Sequence, residues 1–210
     1  KKLALQSWKL KADCRMLKMI NIVLFGPPGS GKGTQAQNLI EKFNLKQIST
    51  GDLFRFNMKN DTELGRLAKY YIDKGELVPD QVTIDMLVDE LKKPTDTNGF
   101  IFDGFPRTSY QTEVLDQIVK EQLHSEISVC LSLIVEDEIL VQRLVKRGET
   151  SGRVDDSEES IIRNRIKEYY AKTAEVAELY KQQGKYVEIN GVGEISEISE
   201  KLFAEVEKIK

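Results

Sequence analysis

INIVLFGPPGSGKGT, residues Ile20 to Thr34, runs an apolar stretch straight into a glycine-rich turn and then a lysine. Ile20 to Phe25 is broken only by Asn21, the pattern of a short buried strand in a parallel sheet. Gln35 to Phe43 follows with strong helix formers, and Leu39, Ile40 and Phe43 are spaced for one buried face. Between them, Gly26, Gly29, Gly31 and Gly33 let the backbone turn sharply and point successive N–H groups inward, at the positive end of the new helix's dipole. Such a socket suits phosphate. The spacing Gly26-xxxx-Gly31-Lys32 matches a phosphate-binding loop in its required context, strand before and helix after. One position departs: Gly33 stands where serine or threonine is usual, and the hydroxyl comes at Thr34. Lys32 then brings a positive charge to the outer phosphates of a triphosphate.

The chain has 210 residues and 40% hydrophobic content, enough for one main core. No apolar run approaches the length of a membrane span. Cys130 sits in an apolar run where a small hydrophobe is expected, and its separation from Cys14 suits no metal, so a disulfide is not expected and a reducing, cytoplasmic setting is. Residues 1–18 stand apart: six basic residues and one acidic give them +5 within a chain of net charge −3, leaving −8 for residues 19–210. That segment lacks the apolar core of a secretory signal and the Arg/Ser richness of a transit peptide. It reads as an N-terminal extension, disordered or a start-site artefact, ahead of one domain from Met19 to Lys210. An acidic body argues against nonspecific nucleic-acid binding, and no apolar helix face suggests association, so a monomer is expected.

Further strands are predicted at Gln47-Ile48, Gly99 to Asp103, Ser128 to Val135 and Tyr186 to Ile189, alternating with helices. Thr50 or Asp52 is placed to cap a helix, and shorter helices follow at Glu63–Lys74 and Gln81–Lys92. Residues 50–78 hold too few apolar side chains for a large core and are expected to pack as a small lobe. Later helices are expected at 108–122, 136–147 and 157–183, the last with Asp156 and Glu159 as a capping box and Tyr170 among its inward side chains; Gly148 to Asp156 reads as a polar loop. The alternation implies a parallel sheet covered on both faces. Asp103, at the end of a strand parallel to the first, can hold water on a magnesium ion carried by the phosphates. His124 lies in a polar connection and is assigned no chemistry.

Only eight arginines occur in residues 19–210, and six of them, Arg55, Arg107, Arg143, Arg147, Arg153 and Arg165, sit at segment ends or in the polar loop. Guanidinium groups make bidentate phosphate contacts, and so many of them beside Lys32 implies more negative charge than one nucleotide carries. Two polyanions held together repel by several kcal/mol and need cations between them. A hydroxyl acceptor calls for a positioned proton acceptor in a catalytic loop of the protein-kinase type, and no such motif occurs; a phosphate acceptor is already anionic and needs none.

GPPGSGKGT, STGDLFR, DGFPRTSYQ and the segment from Arg143 to Arg165 with KRGETSGRVDD occur in the order found in adenylate kinases, and from about Met19 to the C-terminus the chain resembles that family. The resemblance implies a P-loop-type five-stranded parallel sheet with helices on both faces, a nucleoside-monophosphate lobe at 49–78 and a lid at 147–157. It implies the reaction ATP + AMP ⇌ 2 ADP with magnesium. Gly29, Ser30, Gly31, Lys32, Gly33 and Thr34 would cradle the ATP phosphates, Arg143 and Arg147 would lie against ATP, and the Gly193 backbone against its adenine. Thr50, Arg55, Glu76, Leu77, Val78, Gly104, Phe105, Pro106, Arg107 and Gln111 would hold AMP. Arg153 and Arg165 would converge on the transferring group, beside AMP, and with Lys32, Arg107 and Arg147 would form the catalytic set. Asp103 and Asp52 would order water on magnesium. The short lid lacks the zinc-binding cysteines of longer forms, so no zinc is expected. A UMP/CMP kinase resembles the chain over the same motifs; Thr50 and Gln111 look like the adenine-accepting choices.

Overall fold

The structure is a computed structural model that describes residues 19–156 and 158–210. The segment 1–18, with Cys14, and Ser157 lie outside the described residues. Strands β1 (Ile20–Phe25), β2 (Lys46–Ser49), β3 (Gly99–Asp103), β4 (Val129–Ile134) and β5 (Tyr186–Asn190) form one sheet in the order β2-β3-β1-β4-β5, every pair parallel. The helices are α1 (Lys32–Phe43), α2 (Thr50–Lys59), α3 (Glu63–Ile72), α4 (Asp80–Leu91), α5 (Ser109–Gln122), α6 (Asp137–Ser151), α7 (Glu159–Gln182) and α8 (Ile195–Glu207).

Strand alternation divides the core in two. Ile20, Ile22 and Leu24 pack with Ala36, Leu39 and Phe43 of α1 and with Ile198, Leu202 and Val206 of α8. Val23 and Phe25 point the other way, into a cluster with Leu87 of α4, Leu115 and Val119 of α5, and Val176 and Tyr180 of α7. Cys130 is buried in this second cluster, and burial pushes its thiol pKa up, as expected of a packing residue. Asn21, the polar interruption in β1, is also buried; its Nδ2 donates to Ser125 Oγ and to the Glu126 carbonyl, both at 3.0 Å, tying β1 to the connection before β4. Separate smaller clusters join α6 to α7 through Leu140, Leu144, Ile162 and Ile166, and support α2 and α3 through Phe54, Ala68, Val78 and Met86. The second of these is the modest core expected from the composition of residues 50–78.

Several local expectations are corrected. Helix α1 starts at Lys32 rather than Gln35, because Gly31 takes a left-handed N-cap conformation (φ 97°) that turns Gly33 and Thr34 into its first turn. The cap of α2 is Ser49, whose side chain accepts from the Asp52 N–H, in place of Thr50 or Asp52. Glu158 holds the N-cap position of α7 without a side-chain hydrogen bond to the helix, and the Asp156 carboxylate is spent on arginines instead of on a helix start. Tyr170 is 47% exposed, with its hydroxyl donating to Asp137 at 2.8 Å, whereas Tyr169 packs against the core.

The largest correction is at residues 148–151, which continue α6 rather than forming a loop. Gly148 is there for close approach: a Cβ at that position would lie 2.3 Å from the Asp156 carbonyl oxygen. Helix propensity alone says that Gly148→Ala should stabilise by about 1 kcal/mol. The contact with a backbone atom reverses the sign, and a loss of about 1–3 kcal/mol is expected. Urea denaturation of the variant measures it, and a gain in stability would refute this account of Gly148.

Candidate active site

A crevice of about 470 Å³ opens where β1, β2 and β3 end. Register sets those ends level, since Leu24 pairs with Asp103 and Asp103 pairs with Ser49. In an open parallel sheet this is where a ligand is expected, beyond the carboxyl ends of the strands. Lys32, Arg107, Arg147, Arg153 and Arg165 all line it, together with Arg55 and Arg143.

Lys32 is the first residue of α1, and its Nζ donates to the carbonyls of Gly26 (2.7 Å) and Pro27 (2.9 Å), folding back over its own loop. The residue keeps some exposed surface, while its ammonium is folded onto the loop carbonyls. Burial, with Arg107, Arg165 and Arg147 nearby and only Asp103 opposing, lowers its pKa to about 8. Gly29, Gly31, Gly33 and Thr34 line the same end of the crevice. Ser30 does not: it is buried behind the loop with its Oγ unpartnered. Gly193 is also outside the lining and exposed, two residues beyond Gly191, whose carbonyl accepts from Arg143 Nη2 at 3.2 Å.

At the other end, Arg107 is folded onto its own turn, its Nε donating to the Gly104 carbonyl at 2.7 Å. Thr50 Oγ1 donates to that same carbonyl at 3.0 Å, so one oxygen joins the start of α2 to the turn after β3. Burial, then Arg165, lower the Arg107 pKa. Gly104, Phe105, Pro106 and Gln111 line this end, with Phe105 also packed in the core, and Glu76, Leu77 and Val78 close it from the lobe side. Asp103 accepts from Gln47 Nε2 at 3.1 Å, and Asp52 pairs with Arg55 and faces Arg153 at 3.9 Å, bridging the lobe to the turn after α6. Asn164 of α7 donates to the Lys74 carbonyl at 2.8 Å, a second bridge to the lobe.

Arg147 and Arg165 are held by a pair of aspartates that the sequence reading passed over as active-site groups. Asp156 takes Arg147 in a two-pronged contact, Nε at 2.6 Å and Nη2 at 3.0 Å, and also binds Arg165; Asp155 pairs with Arg165 Nη2 at 2.9 Å. Asp156 is 3% exposed, and its arginine partners hold its pKa low against burial, the largest single influence, which raises it. The arrangement can receive two adjoining groups of phosphate oxygens, with cations distributed along the line between them.

A family model described as adenylate kinase matches residues 24–185. The adenylate kinase of Flavobacterium psychrophilum is 56% identical over 184 residues, covering 88% of this chain and 96% of that protein. That of Flavobacterium johnsoniae is 52% identical, and that of Phocaeicola vulgatus 48%, each over 191 residues covering 91% of this chain and 100% of the relative. This chain belongs to the adenylate kinase family. Membership accounts for the sheet order and for the phosphate loop at the end of β1 as features of one fold. It leaves the particular contacts of Asp155 and Asp156 to be explained from this adenylate kinase family member's own geometry. A sequence signal for Asp155 and Asp156 did exist, in two carboxylates next to the arginine-rich turn. Among the described residues no group of three or more His, Cys, Asp or Glu side chains is arranged to hold a metal ion, and no helix is long and apolar enough to cross a membrane.

The depressed pKa of Lys32 has a measurable consequence. Phosphate oxygens beside the ammonium favour its charged form, so a triphosphate must raise that pKa and take up a proton wherever free Lys32 is largely neutral. ATP binding followed calorimetrically in buffers of different ionisation enthalpy should show uptake approaching about one proton above pH 8 and little near pH 6.5, with affinity falling as pH rises through 8. In Lys32→Met the uptake should vanish; uptake that persists there would assign the proton to another group.

Proposed function

We propose that this chain catalyses the reversible transfer of the terminal phosphoryl group from magnesium-bound ATP to AMP, giving two ADP and so interconverting the adenine nucleotides. The observation that carries the reading is the shared crevice: Lys32, Arg107, Arg147, Arg153 and Arg165 line one cavity that runs from the phosphate loop to Thr50 and Gln111. In this reading ATP lies with its phosphates on Gly29 to Thr34 and Lys32, its adenine between Arg143 and the Gly191–Gly193 loop. AMP lies between Arg55, Arg107 and the backbone of Glu76 to Val78, with its base at Thr50 and Gln111. Residues 49–78 form the AMP lobe and 147–157 the lid.

The chemistry requires little beyond placement and charge. The attacking oxygen of AMP is already anionic, so no side chain has to accept a proton. The arginines and Lys32 hold donor and acceptor end to end and stabilise the charge spread over the migrating phosphoryl oxygens. Magnesium enters with ATP as part of the substrate. A carboxylate suits an ion that retains most of its waters, and Asp103, at the end of β3, would hold it through water together with Asp52, both in the crevice lining. The metal neutralises phosphate charge; the chain's own residues position it. Closing residues 147–157 over the crevice keeps water from a phosphoryl donor it would otherwise hydrolyse. We place the protein in the cytoplasm as a monomer whose partners are ATP, AMP and ADP, without zinc, nucleic acid or membrane.

A coupled assay of ADP formation with ATP as donor and AMP, CMP, UMP or GMP as acceptor tests the reading. AMP should give the highest kcat/KM, and faster turnover of CMP or UMP would replace AMP as the substrate. Lys32→Met should lower turnover with AMP about a hundred-fold or more while the circular dichroism spectrum stays that of the folded protein.

A further inference from the structure

We infer that Asp80 locks the side-chain amide of Gln111 in a single orientation and so sets which bases the acceptor site takes, favouring a 6-amino over a 6-oxo purine. The inference rests on the reading that AMP is the acceptor. Asp80 is the first residue of α4, directly after Pro79, and it meets the start of α5, where Thr108 is the cap. Its Oδ1 accepts from Gln111 Nε2 at 2.8 Å and its Oδ2 accepts from Thr108 Oγ1 at 3.1 Å. At the far end of the same amide, Gln111 Oε1 accepts from the Arg107 backbone N–H at 2.7 Å. Gln111 is 2% exposed, yet it lines the crevice.

These partners leave no freedom in the amide. A backbone N–H only donates and a carboxylate oxygen only accepts, so the oxygen must lie at the Arg107 end and the nitrogen at the Asp80 end. Turning the amide over would break both hydrogen bonds and set donor against donor and acceptor against acceptor in a buried place. The Thr108 hydroxyl holds the second carboxylate oxygen, which keeps the first on Gln111. What Gln111 still offers a ligand is one lone pair and one N–H in a fixed order.

That order distinguishes bases. Adenine presents an amino donor next to a ring-nitrogen acceptor, which an amide matches with its oxygen on the amino group and its nitrogen donating to the ring. A 6-oxo purine presents a carbonyl acceptor next to an N1–H donor and needs the amide reversed. Cytosine has the same pattern as adenine, so its exclusion falls to the size of the base rather than to this lock. A carboxylate in the first turn of α4 also suits the helix dipole, and a purely structural Asp80 would act in that way.

The two roles separate in a specificity ratio. In Asp80→Asn the new amide can present either its oxygen or its nitrogen to Gln111, so at unchanged volume the Arg107 N–H alone still opposes the reversed orientation. With ATP as donor, kcat/KM for AMP and for IMP should be measured in wild type, Asp80→Asn and Asp80→Glu, alongside melting temperature. The AMP-to-IMP ratio should fall about tenfold or more in Asp80→Asn, chiefly through KM. It should remain nearer wild type in Asp80→Glu, which keeps an acceptor there. Because the ratio is taken within one preparation, it is independent of the folded fraction. An unchanged ratio in Asp80→Asn, or an equal fall in both variants, would overturn the lock. Wild-type protein that does not phosphorylate AMP would instead remove the functional reading, and this inference with it.

Discussion

Mutual repulsion among the crevice cations is the constraint that the rest of the structure answers. Two like charges about 5 Å apart at the effective dielectric of a protein repel by about 3 kcal/mol, and here an ammonium and several guanidinium groups share one cavity. Carboxylates are interleaved to offset this: Asp52 with Arg55 and Arg153, Asp103 near Lys32, Asp155 and Asp156 with Arg147 and Arg165. Compensation is incomplete. Burial is the first cause of the lowered pKa values of Lys32, Arg107 and Arg153; Asp103 opposes it at Lys32, and neighbouring cations lower all three further, a residual repulsion. Phosphate removes it, which makes ligand binding and relief of internal repulsion one event.

The fold brings these charges together by register and by short turns. Because β1, β3 and β2 end level, the phosphate loop, Asp103 and the Ser49–Thr50 turn emerge side by side. Strand order supplies the gap: β1 runs beside both β3 and β4, so the connection after β1 leads to α1 on one face while the turn after β3 leads to α5 on the other. The α6–α7 pair then delivers Arg143, Arg147, Arg153 and Arg165 from above, and its own small apolar cluster lets it act as a unit apart from the sheet.

Much of this was legible in the sequence because it is local. The strand–loop–helix around Lys32, the acid at the end of β3 and the unequal distribution of arginines all sit in short contiguous patterns, and the structure gathers those arginines in one place. What could not be read depends on partners distant along the chain. Asp156 looks like a capping residue when only the following helix is visible, and its pairing with Arg147 appears only once α6 and α7 are folded together. Gly148 looks like a helix stop until the approach of the Asp156 backbone is known. Ser30, within the loop pattern, is buried, its hydroxyl filling space beside Gly26 that a side chain there would need. Asp80, thirty-one positions from Gln111, gave no signal.

The interleaved carboxylates also bear on why such a site turns over. A crevice of unpaired cations would hold any polyphosphate tightly, donor, acceptor and product alike, and uniform tight binding lowers KM without raising kcat. With Asp155 and Asp156 already paired to Arg147 and Arg165, part of each guanidinium's charge is offset before phosphate arrives, so the net gain per contact is smaller than for a bare cation. The reaction proposed here moves one phosphoryl group between two nucleotides and leaves their summed charge almost unchanged. A fixed set of cations therefore serves reactants and products equally, provided neither is bound too well. The aspartates that look like an electrostatic concession are what permit arginines in such number without trapping the product.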